Sequence, residues 1–305
     1  MNLIFKIKKK VFKLLHHLFH RPYGEILMLH RVVEKRSLLK DNSDLEVTPA
    51  FLEQTILKYK SKGYRFVSLD EVRRQVESKK RGKNKFVCFT FDDGYADNYE
   101  LAYPVFKKHI CPFAIYIATD FPDKKALLWH YDLQDVILEN EKLMFNGVEY
   151  DCSDLNLKNR TFRYISDKFF IVSDNETNKK ALENLFKEND CTVRHDVKTL
   201  TWEQIITLAS DPLCTIGAHT VSHPALTVIS DEWIRKELSD GKKIIEDEIK
   251  NPVIHFAYPF GNWDDRVARL VMEQYSTAVI TLPGSVRKGD KLDRLNRKEL
   301  IEETS

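Results

Sequence analysis

The run Phe86-Val87-Cys88-Phe89-Thr90-Phe91, followed at once by Asp92-Asp93-Gly94, constrains this chain more than any other stretch. Its near-continuous apolar character, from Lys85 to Phe91, reads as a strand covered on both faces, because a half-exposed strand would alternate. Such a strand belongs in a parallel sheet or barrel flanked by helices. Its end delivers two adjacent carboxylates from a core element to one rim, and parallel α/β folds place their chemistry at that rim. Asp-Asp-Gly after a strand is also a common plain turn, so the pair alone leaves both readings open.

The rest of the chain repeats the pattern. Strands are expected at Glu25–His30, Tyr64–Leu69, Phe113–Thr119, Cys214–Ala218, Val253–Tyr258 and Thr277–Thr281. Helices are expected to open at Thr48, Ser68 and Thr201, and to run over Asn98–His109, Asp231–Lys250 and Asp264–Tyr275. Strands alternating with helices predict βαβ units. From about 139 to 197 the rhythm breaks: Leu143–Tyr150 reads as a hairpin turning at Asn146-Gly147, and a polar, helix-prone run covers Asn175–Asn189. This stretch is expected to be an insertion capping the catalytic face, within one domain spanning 23–305.

The 48 basic and 46 acidic residues leave a net charge of +2, which gives no reason to expect nucleic-acid binding. Five cysteines, odd in number and without a C-x-x-C pair, do not form a disulfide framework or a structural zinc site. They fit buried thiols and a cytoplasmic location. Residues 1–22 stand apart. Ile4, Ile7, Val11, Leu14, Leu15 and Leu18 recur at helical spacing between lysines, and no acid precedes Glu25. The segment is too polar for a secretory signal or a membrane span. A basic amphipathic helix lying on an anionic membrane face through residues 1–20, on the inner side of the cell membrane, competes evenly with a helix packed on the domain's own surface.

His219-Thr220-Val221-Ser222-His223 adds two imidazoles four residues apart, on one face if the segment is helical. With one Asp they make a three-ligand set for a divalent ion, which leaves coordination positions open, and the second Asp is free as a base. Adjacent carboxylates also repel, so a cation on one of them keeps both ionised.

The strings TFDDGYADN (Thr90–Asn98), LTWEQI (Leu200–Ile205), GAHTVSHPALT (Gly217–Thr227) and FAYPFG (Phe256–Gly261) resemble the polysaccharide deacetylases, the NodB-homology group or carbohydrate esterase family four. The resemblance runs in order from about Ile26 to Arg297. It implies a distorted (β/α) barrel that removes acetyl groups from N-acetylated sugars or glycans, usually with Zn²⁺, with Co²⁺ or Ni²⁺ as alternatives. Carried over residue by residue, it implies Asp93, His219 and His223 as metal ligands and Asp92 as the base. The Tyr95 N–H becomes the oxyanion donor, and Tyr258 and Phe260 lie on the substrate side. No histidine follows His255, so the family's C-terminal acid is missing. Leu27-Met28-Leu29-His30-Arg31-Val32 is similar to the early-histidine motif of the poly-N-acetylglucosamine deacetylase subgroup and implies His30 as the acid. Where the family often has an arginine that orients the base, this chain has Ala257, with Arg294 or Arg297 as substitutes. Trp129 reads equally as a sugar-stacking platform and as a core residue. The same site would also suit an O-acetyl ester or a formamide, and a glycan-binding protein that has lost turnover is the non-enzymatic alternative.

Overall fold

The computed structural model describes residues 23–78, 85–171, 175–191 and 197–303; the expected N-terminal helix lies outside them. Twelve strands occur among the described residues: β1 (Gly24–Leu29), β2 (Arg31–Val32), β3 (Glu46–Val47), β4 (Arg65–Phe66), β5 (Phe86–Phe91), β6 (Phe113–Ile117), β7 (Lys142–Phe145), β8 (Val148–Asp151), β9 (Cys214–Ala218), β10 (His255–Ala257), β11 (Thr277–Pro283) and β12 (Leu295–Glu299). Seven of them close a parallel barrel in the order β1-β12-β11-β10-β9-β6-β5, with β5 returning to β1 and β4 attached outside along the start of β5.

All six residues of β5 are buried, as a strand packed on both faces requires. Alternation sorts them. Phe86 and Cys88 join Ile26, Ala114, Tyr116, Ala257, Val279 and Leu295 in the barrel interior, stoppered by Leu69, Val72 and Val76 of the helix Leu69–Glu77. Val87, Phe89 and Phe91 face outward into a larger layer under the helices. There Phe106 of the helix Tyr103–His109 stacks on Phe113 at 4.5 Å, and burying one such ring contributes about 1.5–3 kcal/mol. Inside, Gly217 is dictated by packing, since a Cβ there would stand 2.4 Å from the Tyr116 ring.

The helix starts follow from local chemistry. Thr48 accepts the Phe51 N–H at 3.2 Å, and Thr201 with Gln204 forms a reciprocal capping box. The strand expected at 64–69 shrinks to Arg65–Phe66, and β12 lies beyond the last expected strand.

The insertion has its own core. Leu133, Val136 and Ile137 of the helix Trp129–Glu139 pack with Leu143, Phe145, Phe162, Ile165, Leu182 and Leu185. It therefore begins about ten residues before 139, with a helix whose apolar face already belongs to it. The Asn146-Gly147 hairpin is present, with φ of 52° and 73° at its two turn residues and Phe145 opposite Val148. Among the described residues, no helix is long and apolar enough to cross a membrane.

Candidate active site

Strand register assembles the site. Leu29 pairs with Phe91, and the Asp92 N–H donates to the Leu29 carbonyl at 3.0 Å, so His30 and Asp92 leave neighbouring strands side by side at one rim. The His219 N–H donates to the Ile117 carbonyl at 2.9 Å, which brings the histidine loop to the same rim.

The two adjacent carboxylates diverge. Asp92 continues the inward alternation of β5, whereas Asp93 takes a left-handed backbone, φ 76°, and turns toward the histidines. Gly94 follows at φ 96°, a conformation that favours glycine. Asp93 Oδ1 lies 3.4 Å from His219 Nε2 and 3.3 Å from His223 Nε2, and the two Nε2 atoms are 3.1 Å apart. Bonds of about 2.0–2.1 Å to a tetrahedral ion put its ligand atoms about 3.3 Å apart, so this donor triangle fits a divalent ion of the zinc type. The tautomer fits too. His219 Nδ1 is 2.8 Å from the Ala257 carbonyl, which can only accept, so Nδ1 carries a proton and Nε2 is the nitrogen left to ligate an ion.

The imidazoles do not converge on a helix face. They meet through a loop with left-handed residues at Thr220 (φ 71°) and His223 (φ 59°). Glu237, buried on the helix Asp231–Ile249, holds that loop: its carboxylate accepts the Val221 N–H at 2.8 Å, the Ser222 N–H at 3.0 Å and the Ser222 hydroxyl at 2.8 Å. Thr220 Oγ1 accepts the His223 N–H at 3.0 Å.

Asp92 has its own cation. Arg297 of β12, 0 % exposed, grips both carboxylate oxygens, at 2.7 and 2.6 Å, while also donating to Thr90 Oγ1 and the Ile280 carbonyl. Burial pushes the Asp92 carboxyl up, but the charge and hydrogen bonds of Arg297 outweigh it and hold the group below the usual carboxylate range. Each oxygen keeps a second lone pair. Arg297, not Arg294, thus fills the position that Ala257 leaves open; Arg294 instead stacks over Trp263 and bonds Asp265 and Asp293. Burial also raises Asp93, and the imidazoles around it bring it far below its ordinary value. His223, desolvated first and next to His219, is pushed down to about 4 despite Asp93, so it is neutral near pH 7.

The His30 ring lines a cleft of about 500 Å³ together with Asp92, Asp93, His219 and His223. Its backbone is clamped. Asn98 donates to the His30 carbonyl at 2.9 Å, and Asp97 accepts the Val32 N–H at 3.0 Å and Arg31 Nε at 2.8 Å. The Arg31 guanidinium lies over the Tyr95 and Tyr131 rings. Asp97 and Asn98 are the tail of the TFDDGYADN string, so their positions were in view while their role was not. Tyr95 sits opposite Thr199 in an isolated antiparallel bridge whose hydrogen bonds come from Ala96 and Leu200; its own N–H bonds no described residue. The Tyr95 hydroxyl reaches His130 Nε2 at 3.2 Å, a histidine that sequence reading passed over.

Trp129 is both core and wall: it stacks on Phe169 at 5.2 Å and lines the cleft. Phe260, in the left-handed region at φ 57° and 38 % exposed, lies against His223 at 4.5 Å on the cleft's edge. Tyr258 corrects an expectation. Just past the end of β10 it continues the strand's outward parity and is buried against Phe256, its hydroxyl donating to the Asp293 carbonyl at 2.8 Å, away from the cleft. The insertion lines the cleft directly, through Phe162, Ser166 and Asp167 of the helix Leu155–Ile171.

YxkH of Bacillus subtilis, which carries a polysaccharide deacetylase name, is 21% identical over 273 residues, covering 89% of this chain and 69% of that protein. Among solved structures, the Streptococcus pyogenes deacetylase PplD superposes with a TM-score of 0.63 at 21% identity, over 92% of this chain and 94% of that one. IcaB from Ammonifex degensii gives 0.62 at 17%, over 92% and 93%. At such identities the superpositions speak for the barrel. The family model described as polysaccharide deacetylase matches residues 79–279, a span that holds Asp92, Asp93, His219 and His223 and leaves out His30 and Arg297. With two thirds of its length under that model, the chain belongs to the polysaccharide deacetylase family.

Proposed function

We propose that this protein is a metal-dependent hydrolase that removes N-acetyl groups from the amino sugars of a glycan. Deacetylation is the reaction class of the family; the metal, the amide bond and the residue roles are our reading. The observation that carries it is the Asp93–His219–His223 donor triangle next to an Asp92 held ionised by Arg297.

Asp93, His219 and His223 would hold the ion, and Zn²⁺ suits their two nitrogens and one oxygen. When bound, the ion would supply Lewis acidity for the acyl carbonyl and the attacking water. Asp92, ionised and fixed in orientation, accepts the proton of that water as its oxygen bonds the acyl carbon. The Tyr95 N–H, held by the bonds on either side of it, is the donor for the oxyanion that develops. His30 stands next to Asp92 at the rim and protonates the departing nitrogen as the C–N bond breaks, leaving acetate and a free amine. That an amine departs poorly without a proton is why the reading gives His30 this role. PplD was solved with acetate, the acyl product such a reaction releases.

The test is acetate release from N-acetylglucosamine oligomers, with Zn²⁺ supplied or chelated. Wild type is expected to release acetate only with the ion present, and Asp92→Asn to release almost none. Wild type that binds Zn²⁺ but frees no acetate from any N-acetyl sugar would remove this reading.

A further inference from the structure

The two imidazoles of the donor triangle are held in different ways. His219 directly follows β9, with its N–H on the Ile117 carbonyl and its Nδ1 on the Ala257 carbonyl, so neighbouring strands fix it. His223 comes four residues later, at the far end of a loop, and its ring lies against the half-exposed Phe260. Where that ring points is therefore set by what fixes the loop.

One helix presents two matched groups to it. On Asp231–Ile249, Glu237 and Gly241 lie four positions apart on one face, and both are buried. Glu237 Oε2 accepts the N–H groups of Val221 and Ser222, while Oε1 accepts the Ser222 hydroxyl and, at 3.3 Å, Trp233 Nε1. Gly241 meets the loop one turn further on. A Cβ there would stand 3.0 Å from both the carbonyl carbon and the oxygen of Thr220, and 3.4 Å from the Val221 nitrogen. Glycine is unfavourable in a helix interior, and here the missing methyl lets the loop backbone lie directly on the helix. The helix is anchored independently of the loop, by Ile234, Leu238 and Ile245 in the core and by the Tyr275 hydroxyl, which donates to the Leu238 carbonyl at 2.9 Å. On the loop's other side the N–H groups of Thr119 and Asp120 donate to the Thr220 and Val221 carbonyls at 3.2 and 3.0 Å.

We propose that Glu237 and Gly241 are positioning residues for ion binding: they form a rigid seat that holds the loop, and through it His223, in the ligating arrangement before an ion arrives. This rests on the metal reading above. An ion that meets a formed triangle does not have to order the loop, and groups that orient metal ligands typically contribute about 10- to 100-fold in affinity. His219 keeps its own supports on the barrel strands, so the effect of the seat runs through His223.

The test is Zn²⁺ affinity, measured by competition with a chromophoric chelator, in wild type, Glu237→Met, Glu237→Gln and Gly241→Ala, each also combined with His223→Ala. Glu237→Met should weaken Zn²⁺ binding about 10- to 100-fold. Glu237→Gln, whose carbonyl oxygen can still take both backbone N–H groups, should recover most of that loss. Gly241→Ala should weaken binding about three- to tenfold, although alanine ordinarily suits a helix interior better. Beside His223→Ala, each of these changes should shift the affinity by less than about twofold, because the ligand they position is gone. In ion-free wild type, the Val221 and Ser222 amides should already be protected from hydrogen exchange. Equal affinity in wild type, Glu237→Met and Gly241→Ala overturns the proposal, as does a loss equally large beside His223→Ala, or free exchange of those two amides in ion-free wild type. Zn²⁺ bound by none of the proteins, wild type included, overturns the metal reading itself.

Discussion

On the barrel side of the cleft, the buried charged groups are all held. Asp92 is gripped by Arg297, Asp93 faces two imidazoles, His219 is bonded to the Ala257 carbonyl, and Glu237 binds the histidine loop. The backbone there is strained at Asp93, Thr220, His223 and Phe260. On the insertion side the wall consists of Trp129 stacked on Phe169, the half-buried Ser166 and an exposed Asp167. Strain and full hydrogen bonding fix reacting groups to tenths of an ångström, whereas a wall of aromatic faces and loose polar groups tolerates different ligands. Under the proposed function, chemistry falls to the barrel and recognition to the insertion. Changes on the first side should then act on kcat, and changes on the second on KM and substrate preference.

The largest effects should come from the Asp92–Arg297 pair. Asp92→Asn removes the proposed base and should lower kcat by about 10²–10⁴ with little change in KM. Arg297→Met leaves a buried carboxylate unpaired and should cost about 3–5 kcal/mol in urea unfolding. The double variant Asp92→Leu with Arg297→Met replaces both charges by apolar volume, and should recover most of that stability while remaining inactive. Recovery of stability without activity would separate the pair's two roles; an active double variant would remove Asp92 as base.

His30 is next. His30→Gln should lower acetate release from an N-acetyl sugar by about 10²-fold, yet barely slow hydrolysis of an activated aryl acetate, whose leaving group needs no proton. Equal losses on both substrates would move the acid elsewhere, with His130 the first place to look.

Much of this contrast was legible in the sequence, and what escaped has physical reasons. Runs such as Phe86–Phe91 announce themselves because burial on both faces leaves no polar break. β12 did not, because its inward positions include Arg297 and its outward ones Asn296 and Lys298, so Leu295–Glu299 reads as a polar loop. The arginine is affordable there only because Asp92, over two hundred positions away, balances it, and no local pattern carries that information. The histidine pair was legible as a pair but not in its geometry, which depends on two left-handed residues and on Glu237. Tyr258 shows the converse, a motif residue whose strand parity turns it away from the cleft.

A smaller effect is the pH response of Asp92. Asp92 lies below its ordinary value in the folded protein, so the stability it contributes is fully present above the unfolded value of about 4 and is lost as pH falls through the folded one. The acid limb of kcat/KM that belongs to Asp92 should likewise lie below about 4. Arg297→Lys keeps the charge but loses the paired hydrogen bonds, and burial then pushes Asp92 upward. Its acid limb should move to higher pH, measured with Zn²⁺ kept saturating at each point. A limb that does not move would mean that the charge of residue 297 matters and its geometry does not.

The smallest effect is the one that best tests the division between the two walls. Trp129 opens the insertion's first helix, stacks on Phe169 with ring planes 8° apart and borders the cleft from the insertion side. Aromatic pairs contribute about 0.5–1.5 kcal/mol beyond the area they bury, so Trp129→Ala should lower stability modestly through the insertion's own core. Lost stacking of about 1 kcal/mol against a sugar face converts to roughly a fivefold rise in KM, with kcat within a factor of two of wild type. Phe169→Leu supplies the control, because it removes the stacking partner while leaving the indole in place. If Trp129→Ala lowered kcat a hundredfold at unchanged KM, the insertion would belong to the catalytic scaffold and the two walls would be one machine. If Phe169→Leu raised KM as much as Trp129→Ala does, the indole would owe its effect to being held in place, which makes the rigidity of the stack the quantity that sets recognition.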